Sequence, residues 1–297
     1  MEEFQYIIKN QDSFDLRDIF ECGQCFRWER EEDNSYTGIV DGNIINVKKI
    51  EIKKEDKYNE IIFSGLKKKD INIEDLVKNY FDLDRDYEEI KEKLRNVDDN
   101  MKCAISYCPG IRILNQDLWE MILSYIISAN NNIPRIKKII NSISKKYGKE
   151  IEYKGKEYYS FPSIEELENA TISDFRNCGA GFRDKYLFNT INMINNKEID
   201  LDKLYELNTS DCKKELLKLD GVGPKVCDCI LLFSDLKRFD VFPVDVWVRR
   251  VVNELYLKRK DEKKINNKDI EKVAIEKFGD LRGIAQQYLF MWKRENK

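Results

Sequence analysis

The chain has 297 residues, 42% hydrophobic and 36% charged, with a net charge of −3 and no histidine. That length and balance suit a folded protein with a buried core and argue against global disorder. No apolar run reaches the roughly 18 residues of a membrane span, and the acidic start MEEFQYIIKNQD lacks the basic and apolar stretches of an export signal. The expected location is therefore intracellular: cytoplasm or nucleoid, if the source is bacterial.

Taken in chain order, the first hundred residues read as strands and turns, then helices. CFRWERE (25–31), SYTGIV (35–40), NIINVKKIE (43–51) and EIIFSG (60–65) are rich in aromatic and β-branched residues. Asp41-Gly42 between the second and third is a two-residue hairpin signal. Short helices are expected near 73–80 and 86–95. From about residue 115 helix follows helix: apolar residues at helical spacing mark 117–128, and Pro134 opens a helix that Gly148 closes. Further helices fit 163–169, 171–178, 183–195, 200–206, 210–218, 224–234, 246–257, 267–278 and 284–293. The fold class is α+β. An N-terminal antiparallel, twisted sheet with helices (residues 1–110) is expected to precede a larger all-α domain (residues 111–297).

Charge is unevenly shared, with −9 on residues 1–100 and +6 on residues 101–297. Local basic surface is what a nucleic-acid partner requires, but solvated helix faces would give the same asymmetry. The eight cysteines read as free thiols in the absence of an export signal. Cys22-x-x-Cys25 could begin a metal site, yet without histidine a four-ligand set would need two distant pairs to converge, so no metal is expected.

The stretch TSDCKKELLKLDGVGPKVCDCILLF (209–233) is the most informative in the chain. Ser210 can cap one helix, Leu219 to Gly223 form a tight hairpin, and Pro224 starts a second helix. Gly221, Val222 and Gly223 can turn backbone N–H groups toward an anion beside a helix N-terminus, which makes a phosphate grip. It is not a Walker loop, whose glycines lie farther apart. Lys225 falls in the first turn, where the helix dipole disfavours a cation. It is either a phosphate contact or a nucleophile, because a neutral amine can attack a sugar C1′ and form a Schiff base. Cys229 lies one turn farther on the same face. Asp245, in FPVDVWVRR, is a helix N-cap, a catalytic carboxylate, or both.

These residues, LDGVGPKVCDC followed by FPVDVW, resemble the helix–hairpin–helix plus Gly/Pro…Asp signature of the base-excision DNA glycosylase superfamily. The hairpin motif would span about 210–234, in a domain of two helical subdomains with the active-site cleft between them. Lysine at 225 resembles the branch with both glycosylase and lyase activity. No cysteine follows Cys229, so the C-terminal iron–sulfur cluster of the endonuclease III branch cannot be built. FDLRDIFECGQCFRW, SANNNIPRI, GFRDKY and GIAQQYLF narrow the resemblance to 8-oxoguanine DNA glycosylase/lyase. That resemblance implies a partner, double-stranded DNA containing 8-oxoguanine, an enzyme needing no cofactor, and a monomer with no membrane role.

Carried over position by position, the resemblance makes Lys225 the nucleophile and Asp245 the carboxylate that steadies a cationic sugar. The Gly23 carbonyl would accept the N7–H that distinguishes 8-oxoguanine from guanine. Cys229 and Phe290 would sandwich the flipped base and Gln286 would bond its edge. Asn130 would fill the vacated stack, Phe182 would wedge beside it, and Arg135 with Arg183 would read the opposite cytosine. Gly221, Val222, Gly223 and Trp247 would meet the DNA backbone. Three departures stand out: phenylalanine rather than tyrosine at 182, Val246-Trp247 where a phosphate-binding histidine is usual, and Lys293 at an aspartate position. Two other readings share parts of the pattern: a glycosylase for alkylated purines, and a non-catalytic helix–hairpin–helix DNA-binding protein.

Overall fold

The structure is a computed structural model that describes residues 1–9, 13–53, 57–261 and 265–295. Five antiparallel strands make the N-terminal sheet: β1 (Glu2–Lys9), β2 (Trp28–Arg30), β3 (Tyr36–Val40), β4 (Asn43–Lys53) and β5 (Lys57–Lys67), in the order β1-β5-β4-β3-β2. β1 was not foreseen from the sequence. Its alternation is clear once paired: Phe4, Tyr6 and Ile8 lie opposite Gly65, Phe63 and Ile61 and pack on the sheet core, while their neighbours face solvent. The expected hairpin is present. Val40 pairs with Asn43, and Asp41 and Gly42 between them both have positive φ (49° and 71°), the two-residue turn that matches strand twist. Helix α1 (Leu16–Phe20) lays Phe20 flat between Trp28 and Tyr36, with ring centroids 4.3 and 4.9 Å away. α2 (Ile73–Tyr80) closes this core with Phe81.

A second, larger core is helical. α3 (Tyr87–Arg95) and α4 (Asp99–Tyr107) contribute to it alongside α5 (Leu118–Ser128), α6 (Ile133–Tyr147), α7 (Ile172–Asn177), α8 (Asp184–Asn195) and α9 (Leu201–Glu206). α10 (Thr209–Leu216), α11 (Pro224–Phe233), α12 (Val246–Val252), α13 (Asn267–Phe278) and α14 (Arg282–Glu295) complete it. α5 is buried from Leu118 to Ile127 and packs on α6, α8 and α11, so everything around it is placed relative to one rod. α14 returns to pack on α4 as well as α12 and α13, bringing the end of the chain back beside its beginning.

Local departures from the expected elements have simple causes. α4 went unforeseen, although Asp98 caps it by accepting from the Met101 N–H at 3.0 Å. A hairpin of two four-residue strands, β6 (Glu150–Tyr153) and β7 (Lys156–Tyr159), is too short to register as periodicity. The expected helix 163–169 is a single 3₁₀ turn (Glu165–Leu167), and the expected 246–257 helix is α12 followed by a π-helical turn (Asn253–Leu257). The cap of α10 is Asn208, not Ser210. Its side chain accepts from the Asp211 N–H at 3.0 Å, two residues ahead of the cap the sequence suggested.

Candidate active site

The α10–hairpin–α11 unit is bolted to α8. Thr190 donates to the Asp220 carbonyl at 3.0 Å and Asn189 to the Asp220 carboxylate at 2.6 Å. Gly221 has φ +81°, and a Cβ there would lie 2.9 Å from the Tyr186 Cβ, so a side chain is excluded by both backbone and space. Val222 is buried beneath the turn. Gly223 is exposed, caps α11 without any side-chain bond, and has open space where a Cβ would point. The first turn of α11 therefore offers bare N–H groups on an accessible surface.

Lys225 is half-buried at the second position of α11. Its ammonium stands 5.4 Å from the centroid of the Tyr125 ring, and the Cys229 side chain lies one turn on along the same helix face. Burial pushes that thiol up to about 11 against the pull of the Lys225 charge. At neutral pH the lysine thus faces a neutral SH rather than a thiolate. Asp245 caps α12, its carboxylate accepting from the Val248 N–H at 2.8 Å, and its charge reaches Cys229 as well. Capping spends one oxygen and fixes the direction of the other.

On the other side of Tyr125, the Gly23 loop and Phe290 lie against one another. Gly23 has φ +85°, and a Cβ there would sit 3.5 Å from Cε1 of Phe290. Phe290 lies four residues after Gln286 on α14, hence on the same helix face. Gln286 is 4% exposed and its side-chain oxygen accepts the Gln287 amide at 2.7 Å. Arg294 lies over the Phe290 ring at 5.3 Å and donates to the Glu21 carbonyl at 2.7 Å, tying α14 to the loop that carries Gly23. Tyr125 links the two groups: its ring meets Lys225, and its hydroxyl lies 3.4 Å from the Gly23 carbonyl and 3.2 Å from that of Gln24. Tyr125 had been read from the sequence only as one apolar position of α5. Nothing in a helical repeat shows which buried tyrosine turns its hydroxyl toward a functional carbonyl.

The third group lies between α5 and α8. Asn130 is exposed with φ +51°, and Phe182 is 57% exposed, edge-on to Tyr186 at 6.2 Å. Phe182 sits in a 3₁₀ turn (Gly181–Arg183) that leads into α8. Arg135 is exposed and reaches only the Gly179 carbonyl at 3.4 Å. Arg183 is 1% exposed and spends its donors on main-chain oxygens: Ala129 (Nε, 2.8 Å), Asn130 (Nη2, 2.8 Å) and Ala180 (Nη1, 3.3 Å). Burial, and then the neighbouring Arg135 charge, push its guanidinium below its ordinary value. Trp247 is half-buried with the Arg250 guanidinium 5.5 Å over it, and Lys293 pairs with Glu254. Among the described residues no group of three or more Cys, Asp or Glu converges as metal ligands, and all eight cysteines are free thiols.

Residues 6–122 match the family model of the 8-oxoguanine DNA glycosylase N-terminal domain, and residues 123–274 that of the HhH-GPD superfamily of base excision DNA repair proteins. The N-glycosylase/DNA lyase of Saccharomyces cerevisiae is 31% identical, over 97% of this chain and 85% of its own. The 8-oxoguanine glycosylase/lyase of Clostridium acetobutylicum, solved with double-stranded DNA containing cytosine opposite 8-oxoguanine, is 45% identical with a TM-score of 0.89, covering 99% of this chain and 97% of that one. The 3-methyladenine DNA glycosylase of Archaeoglobus fulgidus has a TM-score of 0.75 at 19% identity, a likeness of fold alone. From the sheet through the hairpin to the closing helix, the chain belongs to the 8-oxoguanine DNA glycosylase/lyase family within the HhH-GPD superfamily of base excision DNA repair proteins.

Proposed function

We propose that this protein excises 8-oxoguanine from duplex DNA through a Schiff base on Lys225 and then nicks the strand by β-elimination. The observation that carries the reading is the placement of the Lys225 amine over the Tyr125 ring, one helical turn before Cys229, with the Gly23–Phe290 contact joined to it through Tyr125. The damaged base, once out of the stack, enters between Phe290 and Cys229. Gly23 accepts its N7–H, Phe290 and Cys229 cover its faces, and Gln286 turns from Gln287 to bond its edge.

Lys225, once deprotonated, attacks C1′ and the base leaves with the electron pair of the glycosidic bond, taking up a proton. Asp245 faces the cationic sugar. The lysine nitrogen's lone pair then expels O4′, which takes up a proton as the sugar ring opens; the resulting iminium acidifies C2′, and loss of that proton expels the 3′-phosphate. These steps use side chains and substrate alone. Asn130 and Phe182 occupy the space the base vacates, and Arg135 is free to reach the opposite cytosine. Arg183 could join it only by releasing loop carbonyls. The hairpin at Gly221, Val222 and Gly223 and the Trp247 region grip phosphates. We place the protein inside the cell, acting as a monomer on DNA; among the described residues no helix is long and apolar enough to cross a membrane.

Borohydride trapping tests the proposal. A covalent adduct should form between the protein and 8-oxoguanine DNA and should vanish in Lys225→Gln. An adduct that persists in the variant, or none with the unaltered protein, would refute the Schiff base. Release of methylated purines but not 8-oxoguanine would move the substrate to the alkylated class.

A further inference from the structure

We infer that Tyr125 is a specificity-determining residue, its hydroxyl holding the Gly23 carbonyl in the direction that accepts N7–H and rejects undamaged guanine. The inference deepens the reading of Gly23 as the atom that recognises the base, and rests on it.

Tyr125 is 2% exposed, so its hydroxyl has to find a partner inside the protein. The acceptors within reach are the Gly23 carbonyl at 3.4 Å and the Gln24 carbonyl at 3.2 Å. The one proton can serve either oxygen. A carbonyl oxygen has two lone pairs. The hydroxyl engages one at Gly23, which leaves the other to accept from a base.

Neither partner is free to drift. The Tyr125 ring stacks on Phe233 with centroids 5.7 Å apart and planes at 19°, and Phe26 abuts it edge-on at 5.5 Å. Gln24 is buried, accepts from the Leu114 N–H at 2.9 Å, and donates to the Ile19 and Arg112 carbonyls at 2.8 Å. Gly23, by contrast, has no side chain to anchor it and sits in a left-handed conformation. The hydroxyl is therefore what steadies its carbonyl.

Rigidity matters because guanine and 8-oxoguanine differ there by the sense of one contact. An N7–H meets the carbonyl as a donor, while the bare N7 of guanine meets it lone pair to lone pair. A carbonyl held in place enforces that repulsion, whereas one able to swing aside relaxes it.

The test is equilibrium binding in a Lys225→Gln background, which cannot turn over. The duplexes carry 8-oxoguanine or guanine, whose bare N7 presents a lone pair to the Gly23 carbonyl. The parent should prefer 8-oxoguanine, and adding Tyr125→Phe, which deletes only the hydroxyl, should reduce that preference by about fivefold, the scale of one hydrogen bond. A general packing defect would weaken both duplexes together and leave the ratio unmoved. An unmoved ratio, with the parent preference intact, overturns the role of Tyr125 and spares that of Gly23. No preference in the parent overturns the Gly23 reading and the inference with it.

Discussion

Arg183→Lys separates two roles for the arginine beneath the Asn130 loop. The guanidinium is 1% exposed and bonds three main-chain oxygens, two at 2.8 Å and one at 3.3 Å, while lying 4.3 Å from the centroid of Phe182. Lysine keeps the charge but not the planar fork, so it can reach one or two of these oxygens and loses the stacked face. Charge-assisted hydrogen bonds contribute about 1.5–3 kcal/mol each, so losing one or two and recovering part through water leaves a net loss of about 2–3 kcal/mol. If Arg183 mainly holds Asn130 in its left-handed conformation, that loss falls on base extrusion. It lowers the excision rate roughly 30- to 150-fold. The assay is single-turnover release of 8-oxoguanine from duplexes with each of the four bases opposite, with a melting curve as a check on the fold. A loss of similar size for every opposite base is expected. A loss confined to cytosine would refute the structural role and make Arg183 the reader of that base.

Two further perturbations follow from the same geometry. Gly221→Ala adds a Cβ 2.9 Å from Tyr186 at a positive φ, costing about 2–4 kcal/mol from overpacking and strain combined, whereas Gly223→Ala, with φ −88° and open space, should leave the melting temperature within a degree or two. Any loss of affinity for undamaged duplex in Gly223→Ala then reports the approach of a phosphate, and equal melting losses in both variants would contradict the placement. Lys237 forms a buried pair with Asp82 at 3.0 Å, and burial pushes its ammonium down to about 7 against the pull of that carboxylate. Between that value and its unfolded value near ~10.4 the unfolded chain binds the extra proton, so this group makes stability rise with pH across that window. Urea unfolding at pH 7 and pH 9 should show the rise, and Lys237→Met should flatten it; an unchanged slope in the variant would count against the assignment.

Much of the fold was legible because it is local. The Asp41-Gly42 turn, the apolar face of α5 and the Pro224 start of α11 each rest on rules that act within a few residues. β1 and the β6–β7 hairpin were not. One is an edge strand whose alternation carries weight only when β5 is beside it, and the other has strands too short to show a period. The two cores divide differently from the chain order as well, since α3 and α4 pack with the later helices and α14 closes back on them.

By itself the sequence determined the chemistry on offer: a lysine at a helix start behind a Gly-x-Gly hairpin, a cysteine one turn on, and an aspartate placed to cap the next helix. Those relations depend on spacings of a turn or less, or on residue type alone. Only the tertiary structure decided that the Gly23 loop faces Phe290 across some 270 positions of chain, that Tyr125 joins that loop to Lys225, and that Arg183 is consumed by loop carbonyls while Arg135 stays exposed with a long bond to the Gly179 carbonyl. Such facts are directions of side chains and lone pairs in a packed interior. They are set by which neighbours exclude water and which donors are left to satisfy, and no periodicity in the chain encodes them.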